Sequence, residues 1–321
     1  MNQFPDQASI VIIGGGVGGA SIAYHLALKG VRDVVLVERS ELTSGSTFHS
    51  AGLVGQLRGS VSLTSMMMYS AELYRQLSKN IETDPGWIEC GGIRLACTSE
   101  REQELKKQVG WATTFGLPLE EISPEKAKEL FPLMSTENVR AATYLATDGY
   151  LDPSLLCTSL AKEAKRMGVR ILQQTRVTEI NTSNNQVISV TTDKGTIKTE
   201  KVVAACGLYT AEVARMVNVR VPIIPMSHQY LVTAAFRTVS KNDPHLPTLR
   251  DPDNLVYYRE DGAGLVMGGY ERKSAAAFLN ADLRDEVPKD FNGKLLAEDW
   301  ERFEDIMINS TMRVPAMATA P

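Results

Sequence analysis

The chain has 321 residues, of which 43% are hydrophobic and 22% are charged, and its formal net charge at pH 7 is -4. These values are those of an ordinary globular protein with a large core, and they exclude the disordered and fibrous classes. The slight negative charge also argues against nucleic acid as the main partner, because a dominant basic field is missing.

The amino terminus and the cysteines indicate in which cellular compartment the protein is located. Met1 to Ser9 has neither a basic region nor a long apolar one, and no apolar run in the sequence approaches the roughly 18 residues that span a bilayer. We therefore expect a cytoplasmic protein of bacterial type without a membrane segment. None of the four cysteines belongs to a CxxC pair, so the sequence predicts neither a metal site nor a disulfide framework.

The amino-terminal segment predicts a βαβ unit. Ser9 to Ile13 is a short apolar strand, a glycine-rich turn follows it, and Ala20 to Leu28 has the pattern of a helix that ends at Gly30. Asp33 to Val37 is the next apolar strand. Two such strands joined through a helix predict neighbours in a parallel sheet with a right-handed crossover.

The turn after the first strand has the spacing GxGxxG, formed by Gly14, Gly16 and Gly19. In a dinucleotide-binding turn the first glycine permits the tight turn, the second lets the backbone approach a pyrophosphate, and the third lets helix and strand pack closely. Glu38 ends the second strand, where a carboxylate accepts hydrogen bonds from a ribose diol and repels a 2′-phosphate. The alternatives are an ordinary turn and a solvated acid, but the combination favours a dinucleotide other than NADP.

Two later segments favour FAD over NAD. The loop Thr43 to Thr47 can turn back to the phosphates and flavin with its backbone N–H groups and with the hydroxyls of Ser46 and Thr47. Lys201 to Cys206 is a late apolar strand closed by Gly207, as expected for a segment that returns to the dinucleotide. A nicotinamide dehydrogenase would instead continue with further βα units.

The rest of the chain predicts more helices and then a second sheet. Helical patterns are predicted at residues 63–79, 100–115, 123–130 and 154–167. Strands are predicted at residues 93–96, 169–172, 186–192 and 196–199, the last two as a hairpin around Asp193 to Gly195. Beyond the prolines at positions 222 and 225, the strands of the second sheet are predicted at residues 229–234, 255–259 and 265–268.

Further segments have a combined pattern that is specific to one family. They are Ser46 to Leu53, Leu130 to Leu133, Asp148-Gly149, Asp152-Pro153, Ala205 to Gly207, Pro225 to Thr233, Tyr257 to Arg259 and Gly268 to Glu271. With them the chain resembles the sarcosine and dimethylglycine dehydrogenases, FAD-dependent oxidoreductases of the D-amino acid oxidase type, over nearly its whole length. The resemblance implies an α/β fold, in which a Rossmann-like FAD-binding domain is interleaved with a substrate domain built on a mixed or antiparallel sheet.

The resemblance also implies roles for three side chains. His49 would be bonded covalently to the flavin 8α-methyl group, whereas the alternative is a loop histidine that caps a turn. His228 and Tyr257 would lie near the substrate amine, where an imidazole, with an ordinary pKa of about 6.5, accepts a proton and a hydroxyl orients the nitrogen. The alternative for His228 is a polar residue at a strand start. Tyr258 points to the other face of its strand, so only one of the two tyrosines can serve.

The carboxylate of an amino-acid substrate needs a cation. Arg58 and Arg259 are the candidates, because arginine binds a carboxylate through two parallel hydrogen bonds. The alternative for each is a surface or structural arginine.

We predict that residues 1–85 and 150–225 form the FAD-binding domain and that residues 86–149 and 226–321 form the substrate domain.

The expected reaction is oxidative demethylation of dimethylglycine or sarcosine by hydride transfer to flavin N5, with an electron-transfer flavoprotein or oxygen as acceptor. Two alternatives stay open. One is a non-catalytic regulatory subunit resembling that of pyruvate dehydrogenase phosphatase, and the other is an oxidase of D-amino acids or glycine.

The sequence departs from the family at its end. Family members continue with a closing strand and helix over the flavin, and many add a tetrahydrofolate-binding domain. The chain stops at Met312 to Pro321, where the closing element would begin. We therefore expect a fragment that retains flavin poorly, with tetrahydrofolate as a cofactor only of full-length relatives.

Overall fold

The computed structural model describes residues 4–240, 242–278, 287–288 and 290–321. In chain order the strands are β1 Ile10–Ile13, β2 Val34–Val37, β3 Leu53–Val54, β4 Gly92–Ala96, β5 Leu119–Ile122, β6 Ala141–Leu145, β7 Gly149–Tyr150, β8 Arg170–Leu172, β9 Val177–Ser183, β10 Gln186–Thr192, β11 Gly195–Lys198, β12 Val202–Ala204, β13 Met226–Ser227, β14 Tyr230–Val232, β15 Thr248–Asp251, β16 Val256–Asp261, β17 Gly264–Gly269 and β18 Ala275–Ala276. The helices are α1 Val17–Leu28, α2 Val61–Leu77, α3 Ser99–Thr113, α4 Pro124–Leu130, α5 Pro153–Arg166, α6 Thr210–Arg215 and α7 Trp300–Arg313, with short 3₁₀ helices at Gly207–Tyr209 and Pro315–Ala318.

The predicted ranges 1–85 and 226–321 include residues 1–3, 241, 279–286 and 289, which lie outside the described residues. Within the described part of the chain, no helix combines the length and the apolar character needed to cross a membrane.

A parallel sheet has the strand order β12-β1-β2-β8. Ile12 and Leu36 pack against α1 and α5 on one face, whereas Val11 and Val35 pack against the antiparallel sheet β11-β10-β9 on the other. Burial on both faces explains the continuous apolar runs that predicted the central strands β1 and β2, whereas the edge strands β8 and β12 are more exposed. The predicted βαβ unit and the predicted late strand beside it are confirmed, and so is the hairpin of β10 and β11.

A second, mixed sheet has the order β14-β17-β16-β15-β4-β6-β5. Its strands β4 and β15 pair in parallel, and its other neighbours are antiparallel. One face is apolar: Leu249, Tyr258 and Leu265 pack with Phe303 and Ile306 of α7. A core therefore lies between this face and α7.

The opposite face of the mixed sheet is polar. Arg94 on β4 is the register partner of Thr143 on one side and of Arg250 on the other, and Arg250 is in turn the partner of Tyr257 on β16. Directly paired residues share a face of a sheet, so these four side chains form a row across four strands. The row carries two cations and a phenol that the apolar core does not cover.

Helices α1 and α2 begin two or more residues earlier than predicted, and each follows an N-cap residue with extended backbone. Gly16, with φ -79° and ψ 179°, is the N-cap of α1, so this helix starts three residues before Ala20. Ser60 is the N-cap of α2, and its hydroxyl accepts a hydrogen bond from the Leu63 N–H at 3.3 Å. Four elements of the mixed-sheet region, β5, β6, β15 and α7, were not predicted.

Candidate functional site

The turn between β1 and α1 requires glycine for steric reasons at two positions. Gly14 has a φ of +113°, and a Cβ there would lie 2.4 Å from the carbonyl oxygen of Ala205. A Cβ at Gly19 would lie 1.9 Å from the carbonyl oxygen of Gly14. Both distances are far below van der Waals contact, so a larger residue would push α1 away from the ends of β1 and β12. The glycines thus bring a helix amino terminus, which favours anions, to the edge of the parallel sheet.

Glu38 follows β2 and is hydrogen-bonded to the same turn. Its Oε2 accepts from the Gly15 N–H at 2.7 Å, and its Oε1 accepts from the Ser40 N–H at 2.8 Å. The carboxylate also lines the cavity beside the turn. Because a carboxylate offers about four acceptor positions, Glu38 can hold the turn and still accept from a ribose diol.

The loop at residues 43–47 folds against the first turn of α1. The buried Thr47 accepts a hydrogen bond at its Oγ1 from the Val17 N–H at 3.0 Å. The Thr43 N–H donates to the carbonyl oxygen of Gly15 at 3.1 Å. The loop is therefore fastened to the glycine turn at both of its ends.

A cavity of about 700 Å³ opens at the carboxyl ends of β1, β2 and β12. Its wall includes Gly14, Gly16, Glu38, Ser46, Thr47 and Gly207. Gly19 does not line the cavity and instead forms the contact between helix and strand behind it. The volume lies within the roughly 300–1,000 Å³ of small-molecule and cofactor sites, and the carboxyl edge of a parallel sheet is where such ligands bind.

One part of this wall was not predicted. The guanidinium carbon of Arg39 lies 3.6 Å from the centroid of the Tyr209 ring, and Arg39 also donates to Asn292 Oδ1 at 3.0 Å. Both Arg39 and Tyr209 line the cavity. The signal was available in the sequence, because Arg39 directly follows Glu38 and Tyr209 lies two residues after Gly207.

The His49 ring is not among the groups that line the cavity. Its Nε2 lies 2.9 Å from the carbonyl oxygen of Lys294, and its centroid lies 6.2 Å from that of Phe291. Its chain neighbours Thr47 and Ser50 do line the cavity. The ring thus contacts residues 291–294 at the margin of the cavity, and its covalent role stays a prediction.

Tyr257 and Tyr258 face opposite sides of the mixed sheet. Tyr257 is on the polar side, where its ring centroid lies 5.3 Å from that of Tyr270. Burial raises the pKa of Tyr257 to about 12, so its hydroxyl stays protonated and can donate a hydrogen bond. Tyr258 is fully buried on the apolar side, where its hydroxyl donates to the carbonyl oxygen of Ser310 at 3.1 Å.

His228 lies just before β14, and its side chain is 58% exposed. Its Nδ1 lies 4.0 Å from Oε1 of Glu271, a buried carboxylate whose Oε2 pairs with Arg302. No hydrogen bond joins His228 to Tyr257 within the described residues. Whether the two side chains act together on one amine stays a prediction.

The two candidate arginines have different surroundings. Arg259 donates to the carbonyl oxygen of Ala51 at 2.6 Å, to that of Glu260 at 2.7 Å and to Asp261 Oδ1 at 2.9 Å. These bonds join the loop after His49 to β16, and the role of Arg259 as a carboxylate ligand stays a prediction.

Arg58 instead lines a second cavity, of about 50 Å³, together with Arg94, Arg250 and Asp148. Burial lowers the pKa of Arg58, and the charge of Arg250 acts in the same direction. Arg94 and Arg250 were missed in the sequence, because only the pairing of β4 with β15 brings them to Arg58.

A protein-family model described as FAD dependent oxidoreductase matches residues 9–319. The chain belongs to this FAD dependent oxidoreductase family. The match covers the parallel sheet, the mixed sheet and both cavities, so the recognition made from the motifs is confirmed.

The most similar proteins agree with that assignment. The chain is 35% identical over 318 residues to dimethylglycine dehydrogenase, mitochondrial, of Rattus norvegicus, an alignment that covers 99% of the chain and 37% of the relative. It is 34% identical over 319 residues to sarcosine dehydrogenase, mitochondrial, of Mus musculus, covering 98% of the chain and 34% of the relative. The chain thus spans little more than a third of the length of these curated relatives.

Among solved structures, the chain is similar to L-proline dehydrogenase from P. horikoshii. The TM-score is 0.84 at 28% identity, and the alignment covers 98% of this chain and 79% of that one. The predicted α/β fold class is confirmed.

The residues of the larger cavity fit FAD. Gly16 leaves room at the amino terminus of α1, since a Cβ there would lie only 3.0 Å from Thr47 Oγ1. Glu38 offers acceptors beside that position, and apolar side chains such as Val54 and Leu156 line the remainder of the wall. A dinucleotide carries both polar and apolar parts, and this family member's cavity offers matching surfaces for both.

Proposed function

We propose that this chain is the flavin- and substrate-binding part of an enzyme that oxidatively demethylates a small N-methyl amino acid, dimethylglycine or sarcosine. The observation that carries the proposal is the polar face of the mixed sheet, where Tyr257 and arginines stand in one row. A phenol and a cation are the groups that an amino acid's nitrogen and carboxylate require. Relatives named for these two substrates match at least 98% of the chain, which supports the same choice.

Bound FAD would supply the two-electron acceptor. The chain's own residues would prepare the substrate. The nitrogen of an N-methyl amino acid is protonated in water, so it must lose a proton before the methyl carbon can be oxidised, and we assign that proton to His228. The Tyr257 hydroxyl, protonated because its pKa is about 12, would orient the free amine. Hydrolysis of the resulting iminium would release formaldehyde and the demethylated amine.

We also propose the two-part division of the chain. All strands of the parallel sheet come from residues 1–85 and 150–225, and all strands of the mixed sheet come from residues 86–149 and 226–321. This distribution supports an FAD-binding part and an interleaved substrate part. A covalent link through His49, an electron-transfer flavoprotein or oxygen as acceptor, and a cytoplasmic location complete the proposal.

Anaerobic reduction of the FAD-loaded chain tests this function. Dimethylglycine or sarcosine is expected to bleach the flavin absorbance and to yield one formaldehyde per flavin, whereas glycine and D-alanine are expected to leave it unchanged. Bleaching by glycine or D-alanine would favour the amino acid oxidase. A stable FAD complex that no amine bleaches would favour the non-catalytic regulatory subunit.

A further inference from the structure

A buried carboxylate lies beside His228, and the proposed function gives it no role. His228 belongs to the motif segment 225–233, and Glu271 ends the motif segment 268–271. Nδ1 of His228 lies 4.0 Å from Oε1 of Glu271, whose side chain is only 5% exposed. Two segments that are distant in the sequence thus bring an acid next to the imidazole that we assign as the proton acceptor.

One of the two oxygens of Glu271 lacks a hydrogen-bond donor. Its Oε2 pairs with the guanidinium of Arg302 on α7. Its Oε1 is buried and accepts no hydrogen bond from the described residues. A buried acceptor that has lost its water and gained no donor is unfavourable, so such atoms are rare in folded proteins. Oε1 therefore needs a donor, and Nδ1 of His228 lies within 4.0 Å of it.

The charges around Glu271 also favour a donor at this oxygen. Arg302 donates to Asp299 Oδ2 at 3.3 Å as well, so two carboxylates share one guanidinium. Within the described part of the chain, no other arginine or lysine nitrogen lies within 4.0 Å of either carboxylate. The group therefore has an excess of negative charge, which attracts an N–H that points to Oε1.

Strand pairing on both sides of His228 fixes its backbone relative to that of Glu271. Just before His228, β13 pairs with β18, and just after it, β14 pairs with β17. Glu271 lies between β17 and β18, and Arg302 ties the same place together because it also donates to Ser227 Oγ at 3.1 Å. Only the imidazole of His228, whose side chain is 58% exposed, has to turn. A movement of about 1 Å closes the gap of 4.0 Å to the roughly 2.7–2.9 Å of a charge-assisted N–H···O bond.

We propose that Glu271 is a positioning residue for His228: it accepts a hydrogen bond from Nδ1–H, and Arg302 holds its carboxylate in place for that bond. With the proton on Nδ1, the lone pair of the neutral ring is on Nε2. An N–H bond of the substrate ammonium then breaks as an N–H bond forms at Nε2, and the carboxylate stabilises the resulting imidazolium. The hydrogen bond does not depend on the proposed function, whereas its use in proton transfer rests on it.

NMR of the 321-residue chain labelled with ¹⁵N-histidine tests the hydrogen bond without flavin or turnover. Spectra are recorded at about pH 8.5, above the ordinary imidazole pKa of about 6.5, where an imidazole is largely neutral. A protonated ring nitrogen resonates well upfield of an unprotonated one, so the spectrum identifies the tautomer. The chain has four histidines, and His228→Gln assigns the signal of interest by removing it. We expect the parent chain to carry the proton of His228 on Nδ1, whereas a free imidazole side chain in water favours Nε2.

Glu271→Gln is expected to reverse the tautomer of His228. The guanidinium of Arg302 is a donor only, so it takes the amide oxygen and leaves the amide NH₂ group facing the imidazole. Nδ1 must then accept, and the proton moves to Nε2. In the FAD-loaded chain the same variant should slow flavin reduction by dimethylglycine by about tenfold or more at neutral pH, because Nε2 can no longer accept the proton of the amine.

His25 provides an internal reference in the same spectra. Its Nδ1 lies 2.7 Å from the carbonyl oxygen of Ser21, which can only accept, so we expect its proton on Nδ1 in every variant. Glu129→Gln is the matched control, because Glu129 is 65% exposed on α4. It makes the same chemical change as Glu271→Gln and should leave both the tautomer of His228 and the rate of flavin reduction unchanged.

Two results would overturn the positioning role: a parent chain in which Nε2 of His228 carries the proton, or a folded Glu271→Gln variant whose tautomer is unchanged. The first result is decisive even if Glu271→Gln does not fold. The proposed function fails separately. If the tautomers are as expected but dimethylglycine does not bleach the flavin, the hydrogen bond stands and the reaction does not. If dimethylglycine bleaches the flavin equally fast in the parent and in Glu271→Gln, the reaction stands and the positioning role does not.

Discussion

Glu38 joins two tasks in one side chain. Its oxygens hold the N–H groups of Gly15 and Ser40, and the same carboxylate faces the large cavity. We predict that Glu38→Ala weakens FAD binding to the apoprotein by about tenfold or more, since a charged acceptor of the ribose diol is lost. Fluorescence titration of the apoprotein with FAD measures this. Glu38→Gln retains one acceptor and should lose less, and an unaltered Kd for Glu38→Ala would leave Glu38 as a turn-holding residue only.

The covalent bond between His49 and the flavin can be tested by the colour of the precipitated protein. A covalent bond to the flavin requires its imidazole to leave the Lys294 carbonyl oxygen and enter the cavity, a rotation available to a partly exposed side chain. After reconstitution with FAD, yellow colour should stay in the acid-precipitated protein, and the peptide containing His49 should gain the mass of FAD. His49→Ala should release all colour to the supernatant. Colour released by the parent chain as well would falsify the covalent link, but not the dependence on FAD.

His228 is testable through the pH dependence of flavin reduction. If it accepts the proton of the substrate amine, His228→Ala should slow flavin reduction most near neutral pH, where nearly all of the substrate amine is protonated. Part of the rate should return at alkaline pH, because the free amine then exists without a base. Stopped-flow reduction across the pH range measures this, and a uniform loss at every pH would indicate a packing role.

At the scale of single elements, the sequence predicted best those strands and helices whose own residues show a pattern of burial or capping. Strands β1 and β2 are continuous apolar runs and are almost wholly buried, and α5 begins at an Asp-Pro pair. Helix α7 escaped prediction because its inward positions include Ser310 and Arg313. The buried Arg313 has partners that are distant in the sequence: its Nε donates to Asp251 Oδ2 on β15 at 2.7 Å, and its Nη1 donates to the carbonyl oxygens of Ser135 and Glu137.

The candidate site likewise contains some residues that local sequence predicted and others that it did not. The glycine turn and Glu38 follow one another in the sequence, so their spacing alone predicts a cavity wall. Arg94 and Arg250 belong to strands distant in the sequence, and they meet only through the parallel pairing of β4 with β15. Strand register of this kind depends on tertiary packing and leaves no local pattern.

The cap of α5 gives a prediction about an element. Asp152 Oδ1 accepts from the Ser154 N–H at 2.7 Å and from the Leu155 N–H at 2.9 Å, and α5 packs on the parallel sheet. Asp152→Ala should lower the free energy of unfolding by about 1 kcal/mol, as measured by urea denaturation. Ser123→Ala, which removes the single cap bond of the short helix α4, should cost less. Equal losses of unfolding free energy in the two variants would contradict this, because they would mean that the two-bond cap of α5 contributes no more than the single-bond cap of α4.

Asp148 links the stability of the whole molecule to pH. Its pKa is raised from the ordinary 3.8 to about 6 because burial disfavours the charged form. The folded chain therefore keeps a proton that the unfolded chain releases, and stability falls as the pH rises through this interval. We predict that Asp148→Asn is more stable than the parent at pH 8 by on the order of 1 kcal/mol, with a difference that shrinks toward pH 5. A less stable variant at pH 8 would show that attraction to Arg58 and Arg250 outweighs the cost of burial.

The contact between Gly14 and Ala205 has a consequence for synthesis on the ribosome. The two residues are about 190 positions apart, yet the Ala205 N–H donates to the carbonyl oxygen of Ile13 at 2.8 Å and its backbone closes over the glycine turn. A nascent chain that has emerged only through α2 has the turn but lacks the β12 wall of the cavity. Flavin capture must therefore wait until β12 has left the exit tunnel. Until then one edge of β1 has unpaired backbone N–H and C=O groups. Such an edge can pair with a wrong strand or bind a chaperone, as expected when the pairing partner lies far along the chain.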